Sequence, residues 1–227
     1  MQRFFVNANY KSKKEVVYDQ LRQEILEGVH EPGSRLVIDE IASRMGISQI
    51  PIREAMRQLE ADGFVTIAPH IGATITSLDA NFIYEVFAML EAMEVISSRA
   101  ACKMATEEEL DKIELMIIEM DENIDNRHIW SQQNKAFHLY ICDIARTVLV
   151  RKMMLRVFDH WDRLRFHYLK DVLGYRINDA QAQHKQILSA FRNRDADEME
   201  HIIRHHNQHA LQSYTIHLKS QGHLESS

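Results

Sequence analysis

The chain has 227 residues, enough for one large domain or two small ones, and its 45% apolar content can bury a core. Seven Gly and three Pro favour helices over turn-rich β structure, and two cysteines, Cys102 and Cys142, exclude a disulfide framework and fit a reducing cytoplasm. The first residues carry no signal-peptide core and no run approaches the roughly 18 apolar residues of a membrane span, so a cytoplasmic protein without a membrane role is expected.

The net charge of −6 excludes a general positive field. Residues 1–78 hold nine Lys and Arg against ten Asp and Glu, and residues 79–227 hold eighteen against twenty-three. Acidity sits mostly in the second part, while the first keeps a small basic cluster at Lys11, Lys13 and Lys14. Any contact with DNA must come from local placement of basic groups.

In chain order, residues 1–12 read as a flexible arm. A helix over about 13–27 puts Val16, Val17, Leu21 and Ile25 on one face, and Gly28 ends it. A second helix runs from about Ile38 to Met45 and stops at Gly46. The stretch "ISQIPIREAMRQLEADG" follows, apolar at Ile52, Ala55, Met56 and Leu59. Ser48 stands where an N-cap belongs, and Pro51 is tolerated because first-turn N–H groups have no intrahelical partner. Beyond Gly63, Val65–Ile67 and Ala73–Thr76 flank "PHIG" and predict a hairpin. Helix, helix, tight turn, helix, hairpin describes a winged helix-turn-helix over residues 1–78. A helix entering the major groove by its N-terminal end presents Ser48, Gln49, Ile50 and Arg53 to base edges, with Arg57 one turn on, toward a phosphate. The same spacing also suits a small structural module with a solvated polar face.

From Asp79 to residue 227 every signal is helical, over about 79–103, 106–126, 129–146, 148–172, 178–193 and 196–220. "TEEE" from Thr106 and "DADE" from Asp195 read as capping boxes. The fold class is mainly α: a winged helix-turn-helix followed by an all-α bundle of six or seven helices. This second part holds most of the 13 histidines. Helical geometry sorts them. His206 shares a face with Met199, Ile202 and Ile203, while His201, His205 and His209 lie on the outer side. His184 shares a face with Ala180, Ile187, Leu188 and Phe191, and His138 a stripe with Asn134 and Ile141. A single inward histidine is ordinarily a hydrogen-bonded core residue. Three on three helices, with Asn134 as an oxygen donor, suit a divalent ion such as Zn²⁺ or Ni²⁺. No inward carboxylate is evident beside them, which speaks against a hydrolase, and no enzyme is expected.

The segment "LRQEILEGVHEPGSRLVIDEIASRMGISQIPIREAMRQLEADGFVTIAPHIGATI" resembles the N-terminal domain of the GntR family of bacterial transcription regulators. Leu21, Ile25, Gly28, Pro32, Gly33, Leu36, Gly46, Ser48, Pro51, Arg53, Glu54, Ala55, Leu59 and Gly63 fill the family pattern in order. The resemblance implies that Ser48, Gln49, Ile50, Arg53 and Arg57 meet DNA, with His70 and Gly72 in the wing near the minor groove. Gln49 stands where the family usually has a base-contacting Arg, so the usual operator core is not expected. The rest of the chain, with "NKAFH", "QHKQILSAFRNRD" and His206, is similar to the FCD ligand-binding domain of the FadR-like branch. That resemblance implies metal ligands at Asn134, His138, His184 and His206. It also implies a homodimer, a pseudo-palindromic operator, a repressor, and a small organic acid as effector. Asn134 replaces the usual Asp and leaves the site more positive, which favours an anion completing the sphere. Where many members carry an effector-binding arginine on the first bundle helix, this chain has Phe87. Arg163 and Arg165 are candidate substitutes, and Phe87 and Tyr140 candidate pocket walls. A metal-sensing regulator is the other expectation for the same residues.

Overall fold

The computed structural model describes residues 11–69, 71–168 and 172–221, with the side chains of 172–175 excepted. The chain divides into two compact units, Met1–Leu78 and Asp79–Ser227.

The first unit contains α1 (Lys13–Leu26), β1 (Arg35–Leu36), α2 (Ile38–Met45), α3 (Gln49–Ala61), β2 (Val65–Ala68) and β3 (Gly72–Ile75). Residues 1–10 of the expected arm lie outside the described residues. Its last two are ordered: Ser12 caps α1 in a reciprocal box with Glu15, and Lys11 pairs with Asp19. On α1 the buried stripe is Val17, Leu21 and Ile25; Val16 stays 41% exposed because it lies 100° round the helix from Val17. That stripe packs on Ile52, Ala55, Met56 and Leu59 of α3. Each fully buried Leu or Ile in such a core contributes roughly 1.5–3 kcal/mol relative to exposure. Between α2 and α3, Gly46 takes φ +63°, the left-handed conformation that makes the tight turn. The sheet has an element that the hairpin reading lacked. Two-residue β1 pairs with β3, Arg35 opposite Thr74, in the order β1-β3-β2. A strand this short carries no alternation that a sequence could reveal.

The second unit is a bundle of six helices: α4 (Ala80–Met104), α5 (Glu107–Glu122), α6 (Arg127–Ile144), α7 (Val148–Tyr168), α8 (Val172–Asn193) and α9 (Ala196–Ser220). α8 starts six residues before the expected 178. Thr106 and Glu109 close the expected capping box of α5. At α9 the box is one-sided. The Asp195 carboxylate accepts from the N–H groups of Asp197 and Glu198, but the Asp195 N–H is already donated to the Ala190 carbonyl and has nothing to offer Glu198. The core runs through Ile113, Phe137, Ile141, Ile187, Phe191 and Ile203. It brings α6, α8 and α9 round one centre. No helix among the described residues is long and apolar enough to cross a membrane.

Candidate metal centre and nucleic-acid interface

Five predicted positions line up on the exposed side of α3 and its approach. Ser48, Gln49, Ile50, Arg53 and Arg57 are all exposed, Ile50 at 70%. Ser48 has the extended N-cap backbone but makes no capping hydrogen bond. The reason is local: its usual N3 partner is Pro51, which has no N–H. Gln49 is engaged on both sides. Its Nε2 donates to Asp39 Oδ1, and its Oε1 accepts from Arg53 Nη2 at 3.1 Å. Arg53, Arg57 and Gly72 line a surface groove of about 490 Å³ between α3 and the hairpin. Arg35 lines it too, a basic residue that sequence reasoning passed over. Only the pairing of β1 with the wing strand β3 brings it there. His70, the other wing residue expected at DNA, lies outside the described residues.

In the bundle, α6 carries His138, α8 His184 and α9 His206. They are 3%, 0% and 8% exposed, and one ligand-capable atom from each lies within 4.8 Å of the others. The ring centroids stand 5.3–5.5 Å apart. Each ring is oriented through Nδ1. His184 Nδ1 donates to Gln181 Oε1, and Gln181 is itself held by donating Nε2 to the Ile117 carbonyl. His206 Nδ1 donates to Gln183 Oε1, whose Nε2 donates to His205. His138 Nδ1 faces Glu94 Oε1 at 3.3 Å. With Nδ1 so occupied, Nε2 is left as the lone-pair nitrogen on each ring, and that is the arrangement of a metal-ligating histidine. Burial holds His184 and His206 well below the ordinary histidine pKa, so both are neutral at pH 7. Among the buried polar atoms of the described residues that lack a hydrogen-bond partner are His184 Nε2 and Asn134 Oδ1. Unsatisfied buried acceptors are costly, and a divalent ion would satisfy both. The residues present therefore fit a metal.

Glu94 corrects the sequence reading. An inward carboxylate does stand beside the histidines: Glu94, 4% exposed on α4, accepts from Asn207 Nδ2 at 2.7 Å through its second oxygen. It lowers the positive charge that an ion would bring, so the excess of positive charge that seemed to call for an anion is smaller than the four ligands suggest. Its signal was unreadable in the sequence because a Glu on a long helix ordinarily faces solvent.

A cavity of about 50 Å³ adjoins the histidines, lined in part by Phe87, Glu94, Asn134, His138, Trp161 and His206. Phe87 is at its wall as expected. Arg163, Arg165 and Tyr140 do not line it. Arg163 is fully buried beside His160 and the Phe82 ring, where burial lowers its pKa to about 10. Arg165 pairs with Asp162 and lies over Trp161, and Tyr140 packs under Lys112. Arg163 and Tyr140 fall two positions from the nearest cavity-lining residues of their helices, on another face, whereas Arg165 shares the face of Phe158 and Trp161 and is held off the lining by Asp162 and the Trp161 ring.

A winged helix-turn-helix followed by an all-helical bundle defines the class, a DNA-binding transcriptional regulator. Residues 13–75 match the bacterial regulatory proteins of the gntR family and residues 85–209 match the FCD domain. The chain belongs to the GntR family, in the FadR-like branch that carries FCD. It is 28% identical over 196 residues to the HTH-type transcriptional regulator YdhC of Bacillus subtilis (strain 168), covering 84% of this chain and 86% of that one. It is 25% identical over 199 residues to the HTH-type transcriptional repressor RspR of Escherichia coli (strain K12), covering 87% and 86%. These relatives are transcriptional regulators, not enzymes. A GntR transcriptional regulator from Rhodococcus sp. RHA1 shares the fold, with a TM-score of 0.68 at 18% identity over 90% of this chain and 98% of that one.

Proposed function

We propose that this protein is a cytoplasmic, homodimeric repressor that binds a pseudo-palindromic operator, and that a small organic acid bound beside a divalent metal in the bundle controls that binding. Zinc or nickel suits the donor set of His138, His184, His206 and Asn134. The carrying observation is the meeting of three oriented imidazoles, His184 Nε2 among them without a partner, beside a cavity that Asn134, its Oδ1 also without a partner, lines together with His138 and His206. When bound, the ion supplies a Lewis-acidic centre open to an oxygen ligand. The chain's own residues hold it, fix the imidazole tautomers and exclude bulk water.

At the DNA face, Arg53 reads guanine, Gln49 reads adenine or positions Arg53, and Ile50 packs on a thymine methyl. Ser48 faces the base edges beside Gln49, Arg57 holds a phosphate, and Gly72 and His70 bring the wing to the minor groove. The repressor assignment draws on RspR, whose name states that role for RspR. An effector changes operator binding only by its differential affinity for two arrangements of the dimer. A metal-sensing regulator is the second reading, favoured by the same triad; it requires reversible occupancy at physiological metal levels.

The test has two arms. The doubly substituted His138→Ala, His184→Ala protein should lose its metal as measured by elemental analysis, and full retention would sink the site. The full-length protein should select a symmetric sequence from random duplex DNA. Selection of none would sink the regulator reading.

A further inference from the structure

The cavity beside the histidines extends away from them along α8 and α9. On α8, Arg176, Ala180 and His184 are four residues apart; on α9, so are His206, Ala210 and Tyr214. The two helices are antiparallel, as Gln183 bonding to His206 and Arg176 bonding to His209 require. His184 therefore stands opposite His206, Ala180 opposite Ala210, and Arg176 opposite Tyr214. The two alanines leave the space between the helices open, so the cavity has imidazoles at one end and a guanidinium and a phenol at the other.

That far end is electrostatically unfinished. Arg176 is 5% exposed, yet no carboxylate pairs with it among the described residues. Its Nη1 donates only to neutral His209, at 2.6 Å, and its Nε is buried without a partner. Tyr214 is 3% exposed, and its hydroxyl makes no hydrogen bond among the described residues. Arg99 and Arg165 elsewhere in the bundle are paired with carboxylates. The histidine end, by contrast, already has Glu94. Asp179, exposed one turn along the same helix, acts on Arg176 only from a distance, and burial outweighs it. An arginine cannot shed its charge readily, so a buried one without a paired anion carries a desolvation cost that is only partly offset.

We propose that Arg176, helped by the Tyr214 hydroxyl, binds the carboxylate of the effector, whose other end presents an oxygen toward Asn134 and the histidines. The ligand class is a short aliphatic acid with a second oxygen function; the cavity of about 50 Å³ has room for roughly four waters, which limits its bulk. The inference rests on the reading that this cavity holds the effector, and it moves the acid's charged group from the metal to Arg176.

The chain's two tryptophans, Trp130 and Trp161, both line the cavity, so intrinsic fluorescence of the full-length protein reports occupancy directly. Glycolate and succinate should give saturable changes, and their neutral amides should bind about tenfold or more weakly. Arg176→Gln should weaken acid binding by about tenfold or more, and Arg176→Lys should recover part of it. Acids that bind both variants as they bind the parent protein would overturn the proposal, as would amides binding equally well, or no acid binding at all. Metal content is measured on the same preparations. Loss of metal in Arg176→Gln would make Arg176 a support of the metal centre and overturn its role as anchor. A protein that selects no DNA sequence fails as a regulator whatever the fluorescence shows, so the two failures stay distinguishable.

Discussion

His184 makes one hydrogen bond, from Nδ1 to Gln181, and leaves Nε2 buried and bare. That asymmetry separates a ligand from an ordinary core histidine, which finds partners for both nitrogens. Spacing alone puts His138, His184 and His206 on inward faces. Spacing cannot say that Gln181, Gln183 and Glu94 would each take an Nδ1, because those partners reach the rings from neighbouring turns and from α4. Glu94 is the sharpest case. Its carboxylate against His138 Nδ1 orients the ring and offsets the charge of an ion. Glu94→Gln keeps the shape and the bond from Asn207 within reach, so the protein should fold. Its metal affinity should fall about 10–100-fold, measured by competition with a chromogenic chelator. An unchanged affinity would remove Glu94 from the account.

The helices are held by their ends as well as their faces. α9 brings His206 and Tyr214 to the cavity and begins at Asp195, whose carboxylate takes two backbone N–H groups. Asp195→Ala should cost about 0.5–2 kcal/mol, read as a lower urea midpoint at unchanged slope. The metal centre should survive, since the substitution frays the first turn and His206 sits three turns in. In α8 the opposite happened: the helix runs on toward its N-terminus past the point where the sequence pattern weakens, and the added turns carry Arg176. "LGYRIND" has a glycine and turn-forming Asn and Asp, all poor helix formers, and local propensity stops short there. Packing against α9 overrides it, which is why the sequence offered Arg163 and Arg165 as anion anchors and passed over Arg176.

On the scale of the molecule, the two units carry different charge and different tasks. The DNA-binding unit is close to neutral, so on the proposed reading its affinity rests on a few placed cations, Arg35, Arg53 and Arg57, which line one groove, rather than on a broad field. Its operator binding should therefore show a modest salt dependence, with a log–log slope that falls by about one for each phosphate contact removed. Arg57→Ala should lower that slope with little change in sequence preference. Arg53→Ala should relax the preference at one base pair in each half-site, by about 1–3 kcal/mol, in a competition assay at fixed salt. If Arg57→Ala instead relaxes sequence preference, the assignment of Arg57 to a phosphate fails.

The sequence by itself determined the class of fold and the family. Helical periodicity, the Gly46 turn and a long ordered motif are local or linear properties, and local geometry is what a linear pattern encodes. It also put three histidines on inward faces, because a helix face follows from residue spacing. Only the tertiary structure decided which groups meet. It paired β1 with the wing to bring Arg35 to the groove, and it turned Glu94 inward. It set Arg163 and Arg165 aside from the cavity lining, and it left Arg176 buried without a paired carboxylate among the described residues. Each of these depends on two helices or strands distant in the chain coming into register. A side chain's partners across such a contact are fixed by packing, which spacing along one element does not contain.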